Sequence, residues 1–223
     1  MQRRNGNDRL RLAVNFSAGQ LTDPSMEEQL TVALEHSRMD PSTLVLEITE
    51  TALAADTEPT IERMLRLRRL GLSFAMDDFG TGYSALGYLR QYPIQILKID
   101  RSFIHALGEG TEDTALVRAI LNLASTLGMQ VVAEGVEEGW QAELLHRLGC
   151  TLAQGFHFAR PMDAKDLAVA LAGPVEDRRL PVPAMPAPGM PGDGADSRVF
   201  LRPLGLAGTA RRAHEGVATP SVA

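Results

Sequence analysis

Two adjacent carboxylates, Asp77 and Asp78, end an apolar run within the sequence FAMDDFGTGYSALGYL at residues 74–89. Two like charges side by side raise the energy of a folded chain unless a cation neutralises them. Carboxylate oxygens suit Mg²⁺ or Mn²⁺, and two such cations about 4 Å apart polarise a phosphate group and activate a water molecule. The pair therefore indicates a site for divalent metals and metal-assisted phosphate chemistry.

Six short apolar runs each end in a polar residue that lies two positions after an apolar one. The pairs are Ala13 and Asn15, Val45 and Glu47, Ala75 and Asp77, Ile96 and Lys98, Val132 and Glu134, and Leu152 and Gln154. Alternate residues of a strand lie on the same face, so neighbouring strands would gather these polar residues along one rim. Each one alone is explained as well by a turn cap or a structural ion pair, but the six together predict an active-site rim.

The residue types on this rim suggest separate roles. Lys98 can offset the charge that develops on a phosphate group, or hold the attacking water. Glu134 can act as a general base or as a further metal ligand. The remaining oxygen ligands are Asn15, Glu47, Asp77 and Asp78.

The pattern between the apolar runs predicts the fold that positions this rim. Stretches with apolar residues every three or four positions separate the runs, and Gly71, Gly128 and Gly149 each end a helix just before a strand. Such alternation predicts parallel strands joined by right-handed crossovers. An open doubly wound sheet and a (β/α)₈ barrel both fit the alternation. The shared polar strand ends favour the barrel, whose functional residues lie at the C-terminal ends of its strands.

The number of strand–helix units predicts an incomplete barrel. A complete barrel has eight strands and usually about 250 residues, whereas residues 10–173 supply about six units. We therefore expect an α/β fold, a partial TIM (β/α)₈ barrel over 10–173, after a short polar segment at 1–9. Residues 174–223 hold eight of the 13 prolines and are expected to be disordered, because proline removes backbone donors.

Composition and motif searches exclude several classes of protein. The net charge of −6 and pI near 5.4 give no basic footprint for a nucleic-acid polymer. A single cysteine, Cys150, excludes an intrachain disulfide and a multi-thiolate zinc site. The sequence has no GxGxxG, Walker A, HExxH or GxSxG motif, no apolar run of about 18 residues and no signal peptide, so we expect a cytoplasmic protein without a membrane segment.

Five segments resemble the EAL-domain cyclic di-GMP phosphodiesterases in order and spacing. They are LAVNFSAGQL, LVLEITETAL, FAMDDFGTGYSALGYLRQYPIQILKIDRSFI, VVAEGVEE and CTLAQGFHFARPM, and they cover residues 10–165. The resemblance implies a modified (β/α)₈ barrel with one antiparallel strand. It also implies hydrolysis of cyclic di-GMP to linear pGpG with Mg²⁺ or Mn²⁺, in bacterial second-messenger signalling.

The resemblance implies specific roles for ten residues. Asn15, Glu47 and Asp77 would be metal ligands and Asp78 would serve a second metal. Lys98 would orient the catalytic water, and Glu134 would be the general base or a second-metal ligand. The supporting positions would be Glu50, which anchors the loop at 79–89, together with Asp100, Glu137 and Gln154. The same loop and the helix after it would form the interface of a homodimer.

One departure from the family concerns its name-giving motif. The sequence Glu-Ala-Leu, whose glutamate is a metal ligand in the family, does not occur before Asn15. We therefore expect an N-terminally truncated EAL domain with one metal-ligand glutamate missing. Three hypotheses remain: a cyclic di-GMP phosphodiesterase, a catalytically impaired module that binds cyclic di-GMP or a partner protein, or a non-functional gene fragment.

Overall fold

The computed structural model describes residues 10–53, 58–80, 89–108, 110–172 and 197–200. Six parallel strands form one sheet in which every strand pairs with its neighbours in sequence. They are β1 Arg11–Asn15, β2 Leu44–Thr49, β3 Ser73–Phe79, β4 Ile96–Ile99, β5 Gln130–Ala133 and β6 Leu152–Ala153. The predicted parallel strands and the partial barrel are confirmed.

Helices connect the parallel strands. They are α1 Ala18–Thr22, α2 Met26–Ser37, α3 Glu50–Leu53, α4 Glu58–Arg69, α5 Arg101–His105, α6 Thr111–Thr126, α7 Gly139–Arg147 and α8 Ala164–Ala172. As predicted, Gly71, Gly128 and Gly149 follow α4, α6 and α7, each with a positive φ. Among the described residues, none of the helices combines the length and the hydropathy that a membrane span needs.

The two faces of the sheet bury different sets of side chains. The outer face packs against the helices and forms the larger core, which includes Phe74, Leu97 and Met64. The inner face carries a single small apolar layer, made of Ala13, Val45, Ala75, Ile96 and Val132 with Leu152 packed against it. This layer contains the six apolar partners of the predicted rim, so the period-two prediction is confirmed.

A hydrogen bond across the inner face shows that the sheet is curled. Arg11 Nη1 donates to Gln130 Oε1 over 2.9 Å, although β1 and β5 are separated by three strands. In a flat sheet the two strands would lie about 19 Å apart, at 4.7–4.9 Å per strand. The six strands therefore form a curled half-barrel rather than an open flat sheet, and the polar strand ends converge.

A short strand from the C-terminal segment joins the sheet beside β1. Residues Ser197–Phe200 form β7, which pairs antiparallel with β1, from Val14 opposite Ser197 to Arg11 opposite Phe200. These four residues lie within the segment 174–223 that was predicted to be disordered, and for the rest of that segment disorder stays a prediction. They contain no proline, and the edge of β1 offers backbone groups that a further strand can pair with. The segment at 1–9 and the rest of 174–223 lie outside the described residues.

The backbone around Gly155 leaves no room for a side chain at this position. A Cβ atom at this position would lie 2.2 Å from the carbonyl oxygen of Val136 and 2.3 Å from its nitrogen. Val136 cannot retreat without losing the hydrogen bond that its N–H donates to the Gln154 carbonyl at 3.0 Å. We expect Gly155→Ala to lower the free energy of unfolding by about 3 kcal/mol, measured by urea denaturation.

Gly149→Ala is the matched control for this substitution. Gly149 also has a positive φ, of 93°, but a Cβ there would meet nothing within 4 Å. Its cost should be that of backbone strain alone, about 1–2 kcal/mol. Equal losses for the two variants would show that contact with Val136 is not what excludes a side chain at position 155.

Candidate active site

The polar side chains predicted to share a rim lie at the C-terminal ends of the strands. Asn15 is in register with Glu47, because β1 and β2 pair at these residues. On the other side, the Glu134 N–H donates to the Ile99 carbonyl at 3.1 Å, and the Gln154 N–H donates to the Ala133 carbonyl at 2.8 Å. The sheet thus continues its hydrogen bonding up to the rim, and backbone pairing fixes the positions of these residues.

Lys98 is the electrostatic centre of the rim. Its Nζ lies 2.8 Å from Glu47 Oε1, 2.9 Å from Asp77 Oδ1 and 2.6 Å from Glu134 Oε1. Its side chain is completely buried, and the three carboxylates are almost as deeply buried. One ammonium group therefore holds three acidic side chains from β2, β3 and the end of β5, and the cluster carries an excess of negative charge.

The carboxylates determine the protonation of Lys98. Burial by itself lowers the pKa of the ammonium group, but attraction to Glu134, then to Glu47 and Asp77, outweighs burial and raises the pKa above its ordinary value. Lys98 is consequently charged at neutral pH. It can donate hydrogen bonds and offset negative charge, but it cannot serve as a base.

A β-bulge brings the two adjacent aspartates to the same side of β3. The pairing of β3 with β4 shifts by one residue between Met76 and Phe79, and Asp78 has a φ of 55°. In a regular strand successive side chains point to opposite faces, and a bulge with a left-handed residue changes that direction. As a result, one carboxylate oxygen each from Asp77, Asp78 and Glu134 lies within 4.8 Å of the other two.

This trio fits a divalent cation in chemistry and in spacing. Mg²⁺ and Mn²⁺ prefer oxygen ligands, and at about 2.1 Å from the ion two ligands can lie up to about 4.2 Å apart. The three oxygens lie within 4.8 Å of one another, and carboxylates at such distances repel each other unless a cation lies near them. The geometry therefore favours a cation among Asp77, Asp78 and Glu134.

The other predicted ligands are placed differently. Glu47 is buried and bound to Lys98, and Asn15 beside it is exposed. Neither belongs to the acidic trio. Glu50 is 5% exposed in the first turn of α3. The loop that it was predicted to anchor lies mostly at 81–88, outside the described residues, so that role stays a prediction.

The three remaining supporting residues have distinct partners. Gln154 Nε2 donates to Glu134 Oε1 over 2.7 Å and so fixes the orientation of that carboxylate. Asp100 caps α5, where its Oδ1 accepts from the backbone N–H of Ser102 at 2.9 Å. Burial raises the pKa of Asp100, but the hydrogen bonds from Ser102 outweigh it and lower the pKa. Glu137 Oε1 lies 3.6 Å from His105 Nε2 at the surface.

Sequence reasoning missed two residues just beyond Gln154. The guanidinium carbon of Arg160 lies 4.6 Å from the centre of the Phe156 ring, and that ring is 43% exposed. The signal available in the sequence was the spacing of four between an aromatic and a cationic residue directly after a predicted strand end. An exposed aromatic side chain in contact with a cation therefore follows the end of β6.

Comparison with known proteins identifies relatives of this chain. A family model described as the EAL domain matches residues 1–161. The cyclic di-GMP phosphodiesterase NbdA of Pseudomonas aeruginosa is 44% identical over 157 residues, which make up 70% of this chain and 20% of that protein. The chain spans 24% or less of the length of the first curated relatives that it matches.

Solved structures show the same relationship in three dimensions. The complex of the PaMucR phosphodiesterase with c-di-GMP has 43% identity and a TM-score of 0.65, and covers 70% of this chain and 63% of that one. The manganese/cy-diGMP complex of Klebsiella pneumoniae BlrP1 has 30% identity and a TM-score of 0.65. The match covers 72% of this chain and 41% of that one.

Proposed function

This chain belongs to the EAL domain family, and we propose that it acts as a cyclic di-GMP phosphodiesterase that hydrolyses cyclic di-GMP to linear pGpG. The observation that carries the proposal is the convergence of Asp77, Asp78 and Glu134 around a position suited to a divalent cation. NbdA is named a cyclic di-GMP phosphodiesterase, and the PaMucR structure is a complex with c-di-GMP.

The acidic trio and Lys98 would have different roles in hydrolysis. Asp77 and Asp78 would hold the metal, Mg²⁺ or Mn²⁺, with Asn15 and Glu47 as further ligands from the neighbouring strands. When bound, the metal polarises the phosphate group and lowers the pKa of a water molecule. The charged ammonium of Lys98 offsets the negative charge that grows on the phosphate as water attacks.

Glu134 would accept the proton of the attacking water or act as a further metal ligand. Its Oε1 is held between Lys98 Nζ at 2.6 Å and Gln154 Nε2 at 2.7 Å, so the carboxylate has one fixed orientation. A general base in a fixed orientation typically contributes about 10²–10⁴-fold to a rate. Gln154 acts through Glu134 and is a positioning residue.

Turnover of the ligand itself tests this function. Purified chain incubated with cyclic di-GMP and Mn²⁺ should release linear pGpG, detected by chromatography, and excess EDTA should stop the release because the acidic trio needs its cation. Formation of no pGpG with enzyme and substrate at equal concentrations would contradict catalysis by this chain.

A second candidate is a module that binds cyclic di-GMP, or a partner protein, without hydrolysing it. One observation favours it: Lys98 already neutralises part of the charge on Glu47, Asp77 and Glu134, so the site holds together through its own side chains. Calorimetry separates the two functions, because the binding module gives a heat of binding with cyclic di-GMP and no pGpG.

A further inference from the structure

We infer that Gln141 is a positioning residue, which holds the segment that carries Glu134 at a fixed distance from the segment that carries Lys98. This inference rests on the proposed function, because it concerns the carboxylate that serves there as base or metal ligand. Gln141 lies in the first turn of α7 and is 4% exposed. A buried amide group needs hydrogen-bond partners, and those of Gln141 lie on two different segments next to the site.

The oxygen of the Gln141 amide binds the loop that follows Glu134. It accepts hydrogen bonds from the backbone N–H groups of Glu137 at 2.9 Å and of Glu138 at 3.0 Å. The contact with Glu138 belongs to the capping box of α7, whereas the contact with Glu137 lies outside the capping box and one residue closer to Glu134. The side chain of Gln141 therefore does more than cap its own helix.

The nitrogen of the same amide binds α5, which follows the strand that carries Lys98. Gln141 Nε2 donates to the Ile104 carbonyl at 3.1 Å, in a buried contact. Asp100 alone separates β4, which carries Lys98, from the start of α5. Gln141 thus joins the segment after Lys98 to the segment after Glu134, and the charged groups of these two residues are 2.6 Å apart.

Close packing makes the carboxylate sensitive to this connection. A Cβ atom at Gly135 would lie 2.5 Å from the Cβ of Arg101, so the loop also touches α5 at the first residue of that helix. His105 and Glu137 span the same gap, but they are half exposed and their 3.6 Å separation is too long for a hydrogen bond. The buried Gln141 amide therefore fixes the spacing of loop and helix, and a displacement of about 1 Å can lower a catalytic rate by about 100-fold.

Gln141→Met tests the connection, because methionine has a similar length but no amide group. With cyclic di-GMP and saturating Mn²⁺, we expect kcat to fall by about 10- to 100-fold while KM stays within about twofold of its natural value. In a chain that already carries Glu134→Gln, the same substitution should change kcat by less than about twofold. The carboxylate that Gln141 positions is absent from that chain, so the two effects should not add.

Amide hydrogen exchange gives a second readout that requires no catalysis. The Glu134 N–H donates to the Ile99 carbonyl at 3.1 Å, and Gln141 makes no direct hydrogen bond with it. If Gln141 holds the segment in place, this N–H should exchange about tenfold faster in Gln141→Met, together with the N–H groups of Glu137 and Glu138.

Two further variants serve as controls. Gln141→Glu keeps an acceptor for both loop N–H groups and lacks the donor to Ile104, so kcat should fall by about 3- to 10-fold, as expected for one lost hydrogen bond. This variant also replaces Gln141→Met if the latter does not fold. Gln29 is exposed on α2, where its Nε2 donates to Ser25 Oγ at 2.8 Å, so Gln29→Met should keep the natural kcat and exchange rates.

Each outcome supports or overturns the role of Gln141. A kcat within about twofold of the natural value in a folded Gln141 variant would overturn it and leave the proposed function intact. An equal loss in the Glu134→Gln chain would overturn it as well, because Gln141 would then not act through that carboxylate. If the natural chain forms no pGpG, the proposed function fails, and exchange at the Glu134 N–H decides alone: an unchanged rate overturns the role of Gln141 and a faster rate supports it.

Discussion

Replacing Lys98 with methionine will lower the free energy of unfolding by about 3–5 kcal/mol, the usual cost of removing one member of a buried ion cluster. The substitution leaves Glu47, Asp77 and Glu134 facing each other without the ammonium group that lies within 2.9 Å of all three. Urea denaturation at neutral pH measures the loss.

The dependence of the stability loss of Lys98→Met on pH and on Mn²⁺ identifies its cause. Without Lys98, the buried carboxylates bind protons more readily in the folded state than in the unfolded state, so the stability deficit should shrink as the pH falls from 8 towards 5. Mn²⁺ should also raise the melting temperature of Lys98→Met more than that of the natural sequence, because the ion replaces the missing positive charge.

Lys165→Met is the matched control for Lys98→Met. Lys165 is exposed on α8, and its replacement should change stability by no more than about 0.5 kcal/mol. A loss below about 1 kcal/mol in Lys98→Met, independent of pH and Mn²⁺, would show that the three carboxylates do not depend on the ammonium group for their stability.

Glu134→Gln will lower kcat for cyclic di-GMP by about 10²–10⁴-fold while the protein stays folded. Glutamine has the same shape, and its carbonyl oxygen can still accept hydrogen bonds from Lys98 and Gln154, which lie 2.6 and 2.7 Å from the present carboxylate. The substitution therefore removes a base and a charge without creating a cavity. Steady-state kinetics with Mn²⁺ and a thermal melt measure the two effects.

A metal titration distinguishes the two roles open to Glu134. If it is only the base, kcat falls at saturating Mn²⁺ and the Mn²⁺ concentration for half-maximal activity is unchanged. If it is a ligand, more Mn²⁺ is required. Glu143→Gln, at an exposed position on α7, should keep both values. A Glu134→Gln enzyme with the natural kcat would exclude both roles.

The rim could be predicted from the sequence because it depends on patterns within single strands. Alternation within a strand requires only neighbouring residues, and it correctly paired Ala13 with Asn15 and Val132 with Glu134 on the inner face. Glycines after α4, α6 and α7 likewise marked where helices end. Parallel pairing then followed from the regular order of helices and strands.

The features that the sequence did not predict depend on contacts between distant residues. The bulge at Asp78 arises from a one-residue shift against β4, which no pattern within β3 encodes. The position of Lys98 among three carboxylates depends on the curl of four strands. The pairing of Ser197–Phe200 with β1 joins residues nearly 190 positions apart, beyond a proline-rich segment that argued against any strand.

The contact between Arg11 and Gln130 has a consequence for the order of folding. The two residues are 119 positions apart, and they come within 2.9 Å only after β1 to β5 have paired and curled. Contacts of such long range form late and slowly, because the intervening chain must first lose its conformational freedom. A fluorescence energy-transfer pair at these two positions will therefore report the last step of sheet closure, after the signal from helix formation has reached its final value.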